Sequence, residues 1–250
     1  MSVSMFKNHQ SLPNKITHAM LLAAGLGTRM RPLTNTRPKP LIEVEGKAMI
    51  DYVLDALKGS GVEQVVVNTH YLADMIEAHV KHRASPSVTI SDERSQLLDS
   101  GGGVKKALPY LGSEPFLILN SDAIWLDGPK SNVTRMINEW DPTKMDILLL
   151  LASTSNAVGW GNKGDFAMDQ HGRLNRPKAG EITPFAYSGV AVFKPELFCD
   201  MPDIFSLNVL FNRAIEAGTL FGIRLEGLWM HVGTPEAVEE AELKIRQSVM

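Results

Sequence analysis

Cysteine is nearly missing from this chain: one residue in 250 excludes a disulfide framework and any cysteine-based metal centre. That residue, Cys199, follows Phe198 and sits close to Phe193 in sequence, neighbours that predict a buried, unreactive thiol. Long hydrophobic runs are absent too, with nothing near the roughly 18 to 20 apolar residues of a membrane span. Basic charge is scarce: 25 Lys and Arg against 28 Asp and Glu leave a net charge of −3, so no positive field draws nucleic acid. Aromatics make up only 7% and show no basic-aromatic repeat of the kind that stacks single strands. Gly-x-Ser-x-Gly, His-Glu-x-x-His and Cys-x-x-Cys are all lacking. His79 and His82, three apart among charged neighbours, read as a solvated helix face. The exclusions leave small-molecule chemistry in a reducing, cytoplasmic setting, with neither a nucleic-acid nor a membrane partner expected.

The chain is 44% hydrophobic, enough to bury a sizeable core. Residues 1–16, MSVSMFKNHQSLPNKI, have neither the apolar segment nor the cleavage site of a signal peptide and are expected to be a mobile leader. From 17 to 250 a single domain is expected. Strand-like segments at 19–23, 64–68, 88–91 and 116–119 alternate with helical spacing at 49–57, 72–82 and 102–108. Beyond Trp140 the spacing predicts strands at 147–151, 187–193, 220–225 and 229–232, a hairpin around Asp169-Gln170-His171-Gly172, and helices from Leu207 and Thr234. This rhythm predicts an α/β fold, a Rossmann-like mixed but mostly parallel sheet flanked by helices.

Residues 21–41 read LLAAGLGTRMRPLTNTRPKPL. An apolar strand ending at Leu22 breaks into Ala23, Ala24, Gly25, Gly27 and Thr28, small residues that let backbone amides approach a ligand. Three cations, Arg29, Arg31 and Lys39, accompany them without an acid, a combination suited to a polyphosphate. A dinucleotide fingerprint would need a glycine at Met30, and no Gly-Lys-Ser/Thr completes a Walker loop.

The segment is similar, nearly residue for residue, to the L-A-A-G-x-G-T-R-(M/L)-x-P-L-T-x-x-x-P-K-P-L motif of the sugar-1-phosphate nucleotidylyltransferases. The resemblance covers roughly residues 18 to 246. It implies a nucleotide-binding half over about 17–145 and a sugar-binding half over about 146–250. Asn120-Ser121-Asp122 resembles the family's N-G-D segment, which implies that Asp122 holds a metal, expected as Mg²⁺, against the α-phosphate. Ser100-Gly101-Gly102-Gly103 corresponds to a T-G-G segment lining the base and ribose, and we read it as a loop preceding the helix. Trp229-Met230-His231-Val232-Gly233-Thr234 resembles W-x-D-(V/I)-G-T, with His231 where the family has its second metal-binding Asp. That exchange opens three outcomes: a preference for Mn²⁺, a ligated water, or Asp122 as the sole protein ligand. Asp165, Glu181 and Tyr187-Ser188-Gly189 fall where the family's sugar pocket gathers its contacts, while His70 and Tyr71 follow a strand end and could border the base.

The implied reaction moves a nucleotidyl group from a nucleoside triphosphate to a sugar 1-phosphate and releases pyrophosphate. Arg29, Lys39 and Asp122 are the catalytic expectations. Brevity and Gly164-Asp165-Phe166 resemble the short N-acetylmuramate 1-phosphate uridylyltransferases of cell-wall recycling, making UTP the favoured donor. GTP with mannose 1-phosphate comes second, then other nucleotide-sugar pyrophosphorylases. A nucleotide-binding regulator without catalysis is the reading from another class. Nothing in the sequence sets an oligomeric state.

Overall fold

The computed structural model describes residues 15–249 apart from 162 and 179. Residues 1–14 of the expected leader lie outside the described residues, and Ile16 is already a core residue, 3% exposed. The first strand, β1 (His18–Leu22), runs straight into the glycine loop; a short hairpin, β2 (Glu43–Val44) and β3 (Lys47–Ala48), leads into α1 (Met49–Leu57). Three consecutive valines make β4 (Gln64–Thr69) a strand buried on both faces. The alternation continues through α2 (Ala73–Val80), β5 (Ser87–Asp92), α3 (Asp99–Leu111) and β6 (Phe116–Asn120). Two elements that the sequence pattern did not suggest come next, β7 (Ala123–Asp127) and α4 (Asn132–Glu139).

In the second half, β8 (Ile147–Ser153) precedes the hairpin β9 (Ala167–Met168) and β10 (Leu174–Asn175), which closes around Asp169 as predicted. The chain ends with β11 (Phe185–Phe193), α5 (Asn208–Ala217), β12 (Leu220–Arg224), β13 (Gly227–His231) and α6 (Pro235–Val249). Gly218 takes the left-handed conformation that ends α5, and Thr234 caps α6 by accepting the Ala237 amide.

The central sheet has seven strands in the order β12-β8-β11-β6-β1-β4-β5. Every neighbouring pair is parallel except those made by β11, which runs antiparallel to β6 and β8, so the sheet is mixed and mostly parallel. Successive side chains point to opposite faces. Leu21, Val67 and Leu119 pack with α1, α2 and α4 on one side, whereas Met20, Val66 and Ile118 pack with α3 and α5 on the other. Outside this sheet, β7 and β13 form an antiparallel ladder that sets His231 opposite Ala123, beside Asp122. The face of that ladder carrying Ile124 and Met230 is covered by α6 through Ala241.

Two side chains correct their sequence readings. Cys199 is exposed, because Phe198 alone turns into the core from the short turn they share. His82 lies beyond the end of α2, while His79 pairs with Asp51 of α1 at 2.8 Å. Among the described residues no helix is long and apolar enough to cross a membrane.

Candidate active site

The parallel strands β1 and β6 are neighbours in the sheet, and a crevice opens beyond their carboxyl ends. The glycine loop fills one wall. Gly27 has φ of 63°, the left-handed region, and a Cβ there would meet Thr34 Cγ2 at 2.9 Å. Thr34 Oγ1 donates to the Gly27 carbonyl at 2.8 Å, and the Tyr71 hydroxyl donates to the Thr34 carbonyl at 2.9 Å. Tyr71 therefore braces the loop from behind. The Ala23 amide is also engaged, donating to Asn68 Oδ1 at 2.7 Å.

A cavity of about 340 Å³ lies against this loop, lined by Leu22, Ala23, Gly25, Gly27, Thr28 and Arg29 on one side. Lys39, Ser100, Asn120 and Asp122 face them. Lys39 Nζ donates to Asp122 Oδ2 at 2.5 Å, a bond joining two segments 83 residues apart. Burial pushes the Asp122 carboxyl up, but the charge and hydrogen bond of Lys39 outweigh it and hold it below the usual carboxylate range, with a smaller contribution from His231. Arg29 is exposed, lines this cavity, and also borders a neighbouring one shared with Trp160 and His231.

His231 is half-buried against Trp160, ring edge to ring face at 5.1 Å, and burial pulls its pKa down. Asp122 opposes that shift, while the positive charges of Lys39 and Arg29 add to it. Among the described residues no three His, Cys, Asp or Glu side chains converge to hold a metal alone. The donors present are Asp122, with one carboxylate oxygen engaged by Lys39, and the His231 imidazole. By chemical type these donors would suit a divalent cation that completed its coordination with phosphate oxygens and water, as hard cations accept.

The second glycine cluster differs from its sequence reading. It does not precede the helix but forms the first turns of α3, with all three glycines buried. The Gly101 and Gly102 amides both donate to the Phe205 carbonyl, at 2.8 and 3.2 Å, so neither is open to a ligand. A Cβ on Gly102 would lie 2.1 Å from the Asp203 carbonyl oxygen, and one on Gly101 2.3 Å from the Phe205 ring. Close packing of the 203–205 segment, rather than an anion nest, requires glycine here. Ser100 stays at the crevice and borders three cavities. One of them also touches Leu22, Ala24, Gly25 and the fully buried Glu93. Glu93 takes the Asn68 side-chain amide at 2.7 Å and the Leu98 amide at 3.2 Å, and its carbonyl meets His70 Nδ1 at 2.7 Å. Asn68 and Glu93 escaped the sequence reading; a polar residue following the buried valines of β4 was the available signal for Asn68, whereas Glu93 lies just beyond β5, an edge strand that is mostly half-buried.

The third cavity, about 240 Å³, shares Ser100 and Asn120 with the first. Of the five expected sugar contacts, the structure places two here, Asp165 and Tyr187. Ser188 is buried, and its hydroxyl donates to the Leu150 carbonyl at 2.8 Å within the sheet. Gly189, with φ of 89°, sits in a β-bulge where a Cβ would meet Ala123 and Asn120 at 3.0 and 3.1 Å. Glu181 is exposed and accepts the Lys178 amide at 3.0 Å, away from the cavity wall. Arg176 and Asn208 also line the cavity, residues that escaped the sequence reading because they come from separate segments. Burial pushes the Asp165 carboxyl up, partly offset by the Tyr187 amide that donates to it at 2.9 Å and by Arg176.

Comparison with known proteins places the chain in a family. A nucleotidyl transferase family model matches residues 18–248. An N-acetylmuramate alpha-1-phosphate uridylyltransferase of Caulobacter vibrioides is 48% identical, over 92% of this chain and 97% of its own length. The protein of that name from Neisseria meningitidis is 32% identical, over 90% of this chain and 96% of its own length. The fold matches the crystal structure of a UDP-glucose pyrophosphorylase complexed with UDP-glucose, with a TM-score of 0.77 at 16% identity, over 93% of this chain and 99% of that one.

Proposed function

This chain belongs to the nucleotidyl transferase family, and we propose that it transfers the uridylyl group of UTP to N-acetylmuramate 1-phosphate, releasing pyrophosphate. The observation that carries this reading is the continuity of two cavities across Ser100 and Asn120: a cationic glycine-loop cavity on one side, and a cavity rich in hydroxyl-binding groups on the other. Such a pair accommodates a triphosphate and a sugar phosphate with their phosphates meeting near Lys39 and Asp122. The 48% identical relative supports the choice of uridylyl donor and acidic amino-sugar acceptor.

In the reaction an oxygen of the sugar phosphate forms a bond to the α-phosphorus of UTP. The bond from that phosphorus to the bridging oxygen of the β-phosphate breaks, and pyrophosphate leaves with the electron pair. The attacking oxygen is already anionic, so no general base is required. The chain's work is positioning and charge stabilisation. Lys39 lies where the two phosphates converge and screens their mutual repulsion. Arg29, exposed at the cavity rim, is free to swing onto the departing pyrophosphate. Asp122 and His231 would hold a divalent cation, Mg²⁺ or, favoured by the imidazole, Mn²⁺, which supplies further neutralisation of phosphate charge.

The decisive experiment measures pyrophosphate release for UTP, GTP, CTP and dTTP against a panel of sugar 1-phosphates. Turnover concentrated on UTP with N-acetylmuramate 1-phosphate is the expected result. Preference for GTP with mannose 1-phosphate would replace the substrates, and binding of a triphosphate without pyrophosphate release would replace catalysis by regulation.

A further inference from the structure

The cavity shared by Asp165, Arg176, Tyr187 and Asn208 holds a cation that makes no ion pair among the described residues. Arg176 Nη2 donates to Asn208 Oδ1 at 2.6 Å, and Nε donates to Asn212 Oδ1 at 3.3 Å. Its guanidinium stacks over the Phe166 ring at 4.4 Å. Nη1 makes no hydrogen bond and no carboxylate comes within ion-pair distance of Arg176 among the described residues; Asp165 acts on it only through space. Burial lowers the pKa of the guanidinium, which nevertheless remains a cation at neutral pH. Two asparagines and an aromatic face thus fix the plane of the guanidinium without neutralising it. Against the same cavity the Tyr187 hydroxyl is buried with no hydrogen-bond partner, and burial keeps it protonated as a donor.

A cavity for a neutral sugar would be served by Asp165, Asn208 and the Tyr187 hydroxyl alone. A guanidinium held in a fixed plane, half-buried and without a carboxylate partner among the described residues, is suited to an anion that the ligand brings. The glycine loop, Arg29 and Lys39 already answer the phosphates in the neighbouring cavity, so this anion belongs to the other end of the sugar. We infer that Arg176 is a specificity-determining residue that binds a carboxylate carried on the sugar ring of the acceptor, with the Tyr187 hydroxyl as a second donor. N-acetylmuramate meets that requirement through its lactyl ether, and N-acetylglucosamine is the same sugar without it. The inference rests on the proposed sugar 1-phosphate chemistry and sharpens it from a named acceptor to the group that selects it.

The test compares wild type, Arg176→Gln and Arg176→Lys with UTP and four acceptors. These are the 1-phosphates of N-acetylmuramate, N-acetylglucosamine, glucuronate and glucose, two pairs differing in a carboxylate. Arg176→Gln should lower kcat/KM for N-acetylmuramate 1-phosphate about fiftyfold, as expected for a lost charge-assisted hydrogen-bond pair. It should leave N-acetylglucosamine 1-phosphate within about twofold, and Arg176→Lys should recover part of the preference because it keeps the charge but not the fork. An equal fall for both members of a pair would overturn the inference by placing Arg176 on the phosphate or in the fold. Retained preference in Arg176→Gln would overturn it as well, while leaving N-acetylmuramate 1-phosphate as the substrate. If wild type rejects that acceptor but prefers glucuronate over glucose 1-phosphate in an Arg176-dependent way, the proposed acceptor fails and the carboxylate role stands. No preference for either acidic sugar in wild type would overturn both.

Discussion

The glycine-loop cavity and the Asp165 cavity touch at Ser100 and Asn120, yet they are assembled in different ways. The first draws most of its wall from one stretch, residues 22–40, whose course is fixed by Gly27, Thr34 and the bracing Tyr71. Its chemistry comes from backbone and from cations that any triphosphate would meet. The second takes single side chains from α3, β6, the 165–176 hairpin region, β11 and α5. Its chemistry is that of particular side chains, so it can change from one acceptor to another without disturbing the loop. On the proposed function, the shared chemistry would be held in a contiguous segment and the selectivity spread over the fold.

Substitutions test that division. Lys39→Met should have the largest effect, a fall of about a thousandfold in kcat/KM for the sugar 1-phosphate, the upper range for one transition-state charge contact. Triphosphate affinity, read by calorimetry, should change far less; equal loss of both would put Lys39 on the nucleotide. Arg29→Ala should lower kcat about a hundredfold for every acceptor alike, with thermal unfolding unchanged because the side chain is exposed. An effect confined to one sugar would break the division between common and selective ends.

Gly102→Ala probes the packing of α3 against the 203–205 segment. The added methyl meets the Asp203 carbonyl, so unfolding in urea should show a loss of about 2 to 3 kcal/mol from overpacking. A neutral result would mean that the 203–205 segment yields easily. His231→Asp should shift metal preference from Mn²⁺ towards Mg²⁺ by about tenfold, since carboxylate is the harder donor. Titrating activity with both ions reads this directly, and an unchanged preference removes His231 from the metal. Glu181→Ala should have the smallest effect, less than about twofold in the acceptor KM, as befits an exposed surface substitution. A large rise would return Glu181 to the sugar end.

How much was legible follows the same division. β4 and β8 announced themselves as apolar runs, and α5 by its spacing and the terminal Gly218. β7 was invisible because its sequence, Ala123–Asp127, follows a turn signal and becomes a strand only by pairing with β13, about a hundred residues on. α4 was legible in principle: Val133, Met136 and Ile137 fall on one face, and Ser131 caps it by accepting the Thr134 amide at 3.3 Å. Ser188 read as a ligand hydroxyl because sequence cannot tell which face of a bulged strand a side chain takes.

By itself, the sequence determined the α/β alternation, the glycine loop with its cations, and the chemical class of reaction, because each depends on residues close together in the chain. Only the tertiary structure decided that the glycines of α3 serve packing, that Lys39 meets Asp122, and that Arg176, with no carboxylate in ion-pair contact among the described residues, lies beside the partnerless Tyr187 hydroxyl. Those outcomes depend on which distant strands become neighbours and which buried groups then lack a partner. Local propensity carries no record of either.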